Sequence, residues 1–171
     1  MQPCTIVIFG ATGDLSQKKL LPALYHLQAE NRLTDDTRII CMGRKESTQE
    51  EWQELVTEYV TPRVRGGIDN DLLQTFLKKV HYFKCDINEA FSYHELKKLI
   101  TTPENGFSQN IVFYLSISPS LFSVVGDQLS AVGLNQETDG WRHLVVEKPF
   151  GYDQKSAAEL ERILRKNFTE E

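Results

Sequence analysis

Residues 5–27 read Thr-Ile-Val-Ile-Phe-Gly-Ala-Thr-Gly-Asp-Leu-Ser-Gln-Lys-Lys-Leu-Leu-Pro-Ala-Leu-Tyr-His-Leu, and the fold of the chain turns on them. An apolar run from Ile6 to Phe9 meets Gly10, then Gly13, then a basic and apolar segment with helical spacing. That succession is strand, tight turn, helix. Glycines at 10 and 13 allow backbone angles that a side chain forbids, and they let a cofactor phosphate approach the amides at the positive end of the following helix. With Thr12 at the middle position and Ser16 at the third, the spacing is G-x-x-G-x-x-small in place of G-x-G-x-x-G.

Working outward, Leu20, Leu21, Leu24 and Leu27 give an apolar helical face that Pro22 interrupts, so a kink or two short helices is expected, the second opened by Pro22. Residues 37–43 form a second strand. Thr48 with Glu51 makes a capping box for a helix whose buried stripe is Trp52, Leu55, Val56 and Tyr59. A loop over 61–70 and a helix over 71–79 lead to a third strand, 80–87. A helix over 89–100 follows, with Phe91, Leu96 and Leu99 on one side. The fourth strand is 110–115. Ser118 and Pro119 read as cap and first turn of the next helix. The fifth strand, 143–146, runs into Glu147-Lys148-Pro149, and Asp153 caps a last helix.

Strands alternating with helices imply a parallel sheet covered on both faces by right-handed crossovers, a doubly wound α/β/α fold of three layers and of the Rossmann type. The ligand crevice of such a sheet lies beyond the carboxyl ends of its strands. Gly10, Arg44, Asp86, Ser116 and Lys148 all fall at such ends.

The 171 residues suit one domain, and 40% hydrophobic with 25% charged is a globular composition. No apolar run approaches the ~20 residues of a membrane span, and nothing near Met1 resembles a signal peptide, so the cytoplasm is the expected compartment. A net charge of −5 argues against nucleic acid as the main partner. Cys4, Cys41 and Cys85 lie in or beside apolar strand-like runs without the paired spacing of a zinc site. They are expected to be buried, reduced thiols, and no metal is expected.

The end of the second strand decides the nucleotide. An acid there binds the adenosine ribose of NAD, whereas a 2′-phosphate calls for Arg. Here the strand ends in Gly43-Arg44-Lys45, so NADP is expected. Arg44 lies 34 residues beyond Gly10, more than the usual ~20, which requires a longer first crossover. At the fifth strand's end Pro149 stiffens the backbone behind Lys148 and aims its ammonium across the crevice, where it would donate to substrate oxygens.

Gly10-Ala11-Thr12-Gly13-Asp14-Leu15 with Lys18, Lys19 and Pro22, the segment from Phe113 to Pro119, and Val146-Glu147-Lys148-Pro149-Phe150-Gly151 together resemble the amino-terminal coenzyme domain of the glucose-6-phosphate dehydrogenases. The resemblance runs through essentially the whole chain, in order. It implies oxidation of glucose 6-phosphate to 6-phosphoglucono-lactone with NADP, at the entry to the pentose phosphate pathway. Carried over by position, Gly10, Ala11, Thr12, Gly13, Asp14, Leu15, Ser16 and Gln17 wrap the pyrophosphate and Arg44 meets the 2′-phosphate. Asp86 and Ile87 lie near adenine, Lys148 and Pro149 set the cofactor, and Lys19 and Lys148 reach the sugar phosphate. Gln17 stands where a basic residue is common in that family, and Phe122 where some members have Tyr.

The family's histidine motif, Arg-Ile-Asp-His-Tyr-Leu-Gly-Lys-Glu, does not occur in the chain. None of His26, His81, His94 and His143 is placed to replace its general base. The chain therefore reads as a single NADP-binding domain, 1–171, of a longer enzyme whose substrate and catalytic domain lies elsewhere. It is expected to be inactive alone, with the subunit contacts of a homo-oligomer outside it. Tyr93-x-x-x-Lys97 matches the catalytic pair of short-chain dehydrogenases but falls too early, on the helix after the third strand. A sugar dehydrogenase family that shares Glu-Lys-Pro normally carries G-x-G-x-x-G, which Thr12 contradicts. A stand-alone NADP-sensing or interaction module is the reading from a different class.

Overall fold

Five parallel strands, β1 (Thr5–Phe9), β2 (Arg38–Gly43), β3 (Val80–Lys84), β4 (Ile111–Leu115) and β5 (Arg142–Val146), form one sheet in the order β3-β2-β1-β4-β5. The computed structural model describes residues 2–147 and 154–168. Side chains alternate across the pleat, so each strand feeds two cores. Val7, Phe9, Met42, Phe113 and Leu115 join the core under α4 (Ala90–Thr101) and α5 (Phe122–Ala131), and Leu164 and Phe168, at the end of α6 (Gln154–Asn167), pack against it. Ile8, Ile39, Cys41 and Val80 join the core under α1 (Leu21–Ala29), α2 (Gln49–Val60) and α3 (Asn70–Leu77). Between those layers Val7, Ile8 and Phe9 are wholly buried, as a central strand requires. The doubly wound α/β/α sheet expected from the alternation of elements is thus the fold.

The capping box at α2 forms as read. The Thr48 hydroxyl accepts from the Glu51 amide at 3.1 Å, and the Glu51 carboxylate accepts from the Thr48 amide at 2.8 Å. Thr48→Ala leaves one of these donors to water, and urea denaturation should show a loss of ~1 kcal/mol. An unchanged midpoint would mean that packing of Trp52 and Val56 alone holds the helix start.

Of the two expected outcomes, the structure shows two short helical pieces with Pro22 in the first turn of the second, α1, although no break separates them. The backbone is helical from Asp14 through Ala29, with Ser16–Leu20 in the wider π register and Pro22 in the first turn of α1. In α register the proline ring would press on the Lys18 carbonyl. The wide turn, in which the Leu21 amide donates to the Ser16 carbonyl, makes room for it. Ser118 caps nothing with its side chain, which bonds the Ser120 hydroxyl at 2.9 Å. A 3-10 turn, Pro119–Leu121, precedes α5 and closes through Leu121 N–H donating to the Ser118 carbonyl at 2.9 Å. Phe91, expected beside Leu96 and Leu99, is 72% exposed in the first turn of α4, where nothing lies over it.

The end of α6 is moored to α5 by polar bonds. Lys166 and Asn167 both donate to the Asp127 carboxylate at 2.9 Å, which holds that carboxyl below its usual range. Gly126 permits the approach, since a Cβ there would stand 2.9 Å from the Asn167 amide nitrogen. The expected Asp153 cap lies outside the described residues. All three cysteines are free and buried, and burial pushes the Cys85 thiol up to about 11, which keeps it protonated and unreactive at neutral pH. Among the described residues no helix is long and apolar enough to cross a membrane, and no His, Cys, Asp and Glu side chains cluster as a metal site.

Candidate functional site

At the carboxyl end of β1 the chain reaches Gly10 at φ +79°, a conformation that side chains disfavour. Ala11 N–H donates to the Met42 carbonyl at 3.1 Å, which ties the turn to β2. Gly13 N–H donates to the Gly10 carbonyl at 3.0 Å, and Gln17 N–H to the Gly13 carbonyl at 3.0 Å, which starts the helix. The other side of the turn rests on β4. Ser16 Oγ donates to the Gly10 carbonyl and to Ser116 Oγ, both at 3.1 Å, while Ser116 N–H donates to the Phe9 carbonyl at 3.0 Å. A Cβ on Gly10 would lie 2.3 Å from the Ser116 carbonyl oxygen and 2.8 Å from Ile117 Cγ2. β1 and β4 are neighbours in the sheet, and successive strands step outward from them in opposite directions. This is the switch point of the topology.

A cleft of about 650 Å³ opens over this edge. Of the residues expected from sequence, Gly10, Thr12, Gly13, Gln17, Arg44, Asp86 and Ile87 line it, together with Ser116 and Ser118. Ala11 and Ser16 are buried behind the turn, where they support it. Asp14 and Lys19 are exposed and Leu15 half-buried, and none of the three faces the cleft. Lys148 and Pro149 lie outside the described residues. Inside the turn Gln17 Nε2 donates to the Thr12 carbonyl at 2.7 Å, and Lys18 pairs with Asp14 at 2.6 Å. The Asp86 carboxylate accepts from Asn88 N–H at 2.9 Å, which shapes the loop after β3.

Arg44 is exposed and has no ion-pair partner among the described residues, whereas Glu46 is taken by Lys84. Its guanidinium is thus available to an anion from outside the chain. Gly43 beside it leaves room for Tyr82 and Thr12. A Cβ there would stand 2.6 Å from the Tyr82 oxygen and 3.1 Å from Thr12 Cγ2. Leu55 and Tyr59 also line the cleft, one turn apart on α2, as do Lys45, Asn88, Ile117 and Leu121. Leu55 and Tyr59 could not have been picked out, because apolar residues at helical spacing read as core.

Other sequence features take no part in the cleft. Tyr93 is buried and donates to the Ile87 carbonyl at 2.9 Å, while Lys97 donates to the Val132 carbonyl at 2.7 Å, so the two do not act as a pair. None of the four histidines lines it. His81 packs against Phe107, and its burial lowers the imidazole pKa, while His143 stacks on Trp141 with ring centres 4.4 Å apart.

Near the same edge of the sheet, the Tyr114 hydroxyl donates to the carboxylate of Glu147, the residue that follows the neighbouring strand β5. Burial first, and the carboxylate second, push that phenol up to about 12. A raised pKa gives a stabilising contribution that is complete below the unfolded value of ~10 and is lost as pH rises through the folded one. A difference titration of tyrosinate absorbance between the native chain and Tyr114→Phe should therefore show the missing phenol ionising near the top of that window. A missing transition near the unfolded value would show that the bond does not hold the proton.

A parallel sheet of this order, with a glycine turn at its switch point and a cleft over that turn, defines a dinucleotide-binding domain. A family model described as "Glucose-6-phosphate dehydrogenase, NAD binding domain" matches residues 7–171. The glucose-6-phosphate 1-dehydrogenase of Aggregatibacter actinomycetemcomitans is 34% identical over 98% of this chain and 34% of its own length. That of Bacillus subtilis (strain 168) is 33% identical over 97% of this chain and 33% of its own. A solved structure of glucose-6-phosphate dehydrogenase in complex with its substrate glucose-6-phosphate superposes with a TM-score of 0.85 and 35% identity, covering 98% of this chain and 35% of that one. The chain belongs to the glucose-6-phosphate dehydrogenase family, through its NAD-binding domain. It spans about a third of the length of the curated relatives it matches.

The cofactor of this domain is a nicotinamide dinucleotide, and the residues present fit one. Gly10, Thr12 and Gly13 of the turn line the cleft, the turn is backed by buried Ala11 and Ser16, and Arg44, which has no ion-pair partner among the described residues, stands just past the end of β2.

Proposed function

We propose that residues 1–171 are the NADP-holding domain of an enzyme that oxidises glucose 6-phosphate to 6-phosphoglucono-lactone, with the sugar held largely by the two thirds of the polypeptide that the relatives carry beyond this segment. The observation that carries the choice of NADP is Arg44, exposed at the carboxyl end of β2 with no carboxylate paired to it among the described residues. A guanidinium there matches a 2′-phosphate and offers nothing to a ribose hydroxyl that an acid would bind better.

In this reading Gly10 through Gln17 hold the pyrophosphate on the turn and its helix start, and Asp86 and Ile87 lie beside adenine. Lys19 and Lys148 reach the sugar phosphate, while Pro149 helps to set the nicotinamide. When bound, the nicotinamide supplies the hydride acceptor. The chain's own residues bind and orient, and no histidine of the cleft is available to take the sugar hydroxyl proton. The setting we propose is the cytoplasm, where three free thiols stay reduced, and the full-length protein is a homo-oligomer through contacts outside this segment.

Calorimetry on the chain tests this. NADP or NADPH should bind detectably and NAD much more weakly, and equal affinities would refute the role of Arg44. Glucose 6-phosphate oxidation by the pure chain should not exceed the blank, and measurable turnover would place a general base within these residues.

A further inference from the structure

Residues 44–48, between β2 and α2, belong to no helix or strand, and the Arg44 side chain among them is exposed. The backbone on either side of Arg44 is nevertheless bound to β3 and its end. On one side the Gly43 carbonyl accepts from Cys85 N–H at 2.8 Å, which carries the ladder between β2 and β3 one residue past Lys84. On the other side the Lys45 carbonyl accepts from the Tyr82 hydroxyl at 2.6 Å. A charge pair follows one residue on, between Lys84 and Glu46, but both groups are exposed, and such pairs hold little. The bend that carries Arg44 therefore takes its shape chiefly from the Gly43 and Lys45 carbonyls.

Tyr82 is itself built in. β3 is an edge of the sheet, and the Tyr82 amide, with no further strand to meet, donates to Gln49 Oε1 at 3.1 Å, while Gln49 Nε2 donates to the Val80 carbonyl at 2.6 Å. The Tyr82 ring lies against buried Trp52, with ring centres 5.0 Å apart. Its path to Lys45 is open only because Gly43 has no side chain, since a Cβ there would stand 2.6 Å from the Tyr82 oxygen and 3.1 Å from its Cε2. Gly43 does not have a positive φ, so what it supplies here is space. The bond from Tyr82 to Lys45 is exposed, where water can serve both groups. It does not rescue a buried polar atom, and what it adds is the orientation of the bend.

We infer that Tyr82 is a positioning residue for recognition of the 2′-phosphate: its hydroxyl holds the Arg44–Lys45 bend in the shape that presents the Arg44 guanidinium to the cleft. Arg44 and Lys45 line that cleft and Tyr82 does not, so the hydroxyl acts through the bend and not on the nucleotide. A guanidinium on a settled backbone has less freedom to lose when it grips a phosphate, and that difference is what the bond contributes to affinity. The effect falls on nucleotides that carry a 2′-phosphate and spares those that lack one. This inference rests on the reading of Arg44 as the ligand of that phosphate.

The test is calorimetry with a matched pair of probes, adenosine 2′,5′-bisphosphate and adenosine 5′-monophosphate, alongside NADP. Tyr82→Phe removes one oxygen and keeps the ring on Trp52, so the fold survives it, and urea denaturation checks this. The bisphosphate and NADP should bind the variant about three- to tenfold more weakly, the range of one neutral hydrogen bond, while the monophosphate changes by less than about twofold. With Arg44→Ala already in place, Tyr82→Phe should cost the bisphosphate little more, because the two act as one unit. An equal loss for both probes would overturn the inference, since that is what a merely structural role produces. So would an undiminished effect of Tyr82→Phe in the Arg44→Ala chain. If Arg44→Ala lowers the preference for the bisphosphate and Tyr82→Phe leaves it unchanged, the inference falls and the assignment of Arg44 stands. If Arg44→Ala also leaves the preference unchanged, both fall.

Discussion

Gly10→Ala is expected to abolish cofactor binding and to cost the fold about 2–5 kcal/mol, the left-handed backbone contributing ~1–2 and the overpacked contact ~1–3. The added methyl would arrive 2.3 Å from the Ser116 carbonyl oxygen, and that atom belongs to the backbone of an adjacent strand end, which cannot swing aside like a flexible side chain. Relief requires parting the ends of β1 and β4, which breaks the bonds from Ser16 to Gly10 and Ser116. Gly67→Ala separates the two contributions. Its φ is +93° with nothing within 4 Å of the new methyl, so it should show the backbone cost alone and leave binding intact. Against a typical domain stability of ~5–15 kcal/mol the first substitution is severe and the second mild. Urea denaturation of both variants, with NADP calorimetry on each, gives the comparison. Equal losses would mean that the close approach to Ser116 relaxes freely.

Arg44→Asp is expected to weaken NADP binding by about 10- to 100-fold, the equivalent of ~1.5–3 kcal/mol for charge-assisted bonds to a phosphate, while NAD binding holds or improves. The new carboxylate repels a 2′-phosphate and can accept from a ribose hydroxyl. Stability should not change, because Arg44 is exposed and without an ion-pair partner among the described residues. That separation matters, since a loss of affinity without a loss of stability cannot be blamed on misfolding. The ratio of NADP to NAD affinities is the measurement, and an unaltered ratio would move the 2′-phosphate to other cations, Lys45 first among those lining the cleft.

The sheet was legible because apolar runs such as Ile6–Phe9 and Ile39–Met42 can be satisfied only by burial on both faces, and the intervening amphipathic stretches fix where the cover comes from. Arg44 and Asp86 were legible for a related reason, since the carboxyl end of a parallel strand is a place that chain order alone defines. What stayed hidden depended on distance across the fold. Leu55 and Tyr59 have the spacing of core residues, and only the path of α2 past the turn brings them to the cleft. Phe91 has the same periodicity as Leu96, yet it begins its helix beyond the reach of any neighbour. Pro22 signals where a second helical piece begins, but the wide π turn before it, Ser16–Leu20, has no signature in residue spacing, and neither does the bond from Ser16 to Ser116 beyond the end of β4.

The bond from Ser16 to Ser116 joins residues 100 apart in the chain. Local pieces such as α2 with its capping box can form early, but the floor of the cleft exists only once β1 and β4 have paired across that long loop, a slow class of event in folding. A nucleotide that fills the cleft can therefore report the last long-range step of refolding. Its binding signal should lag the recovery of helix, and by mass action it should draw the final ensemble toward the closed sheet.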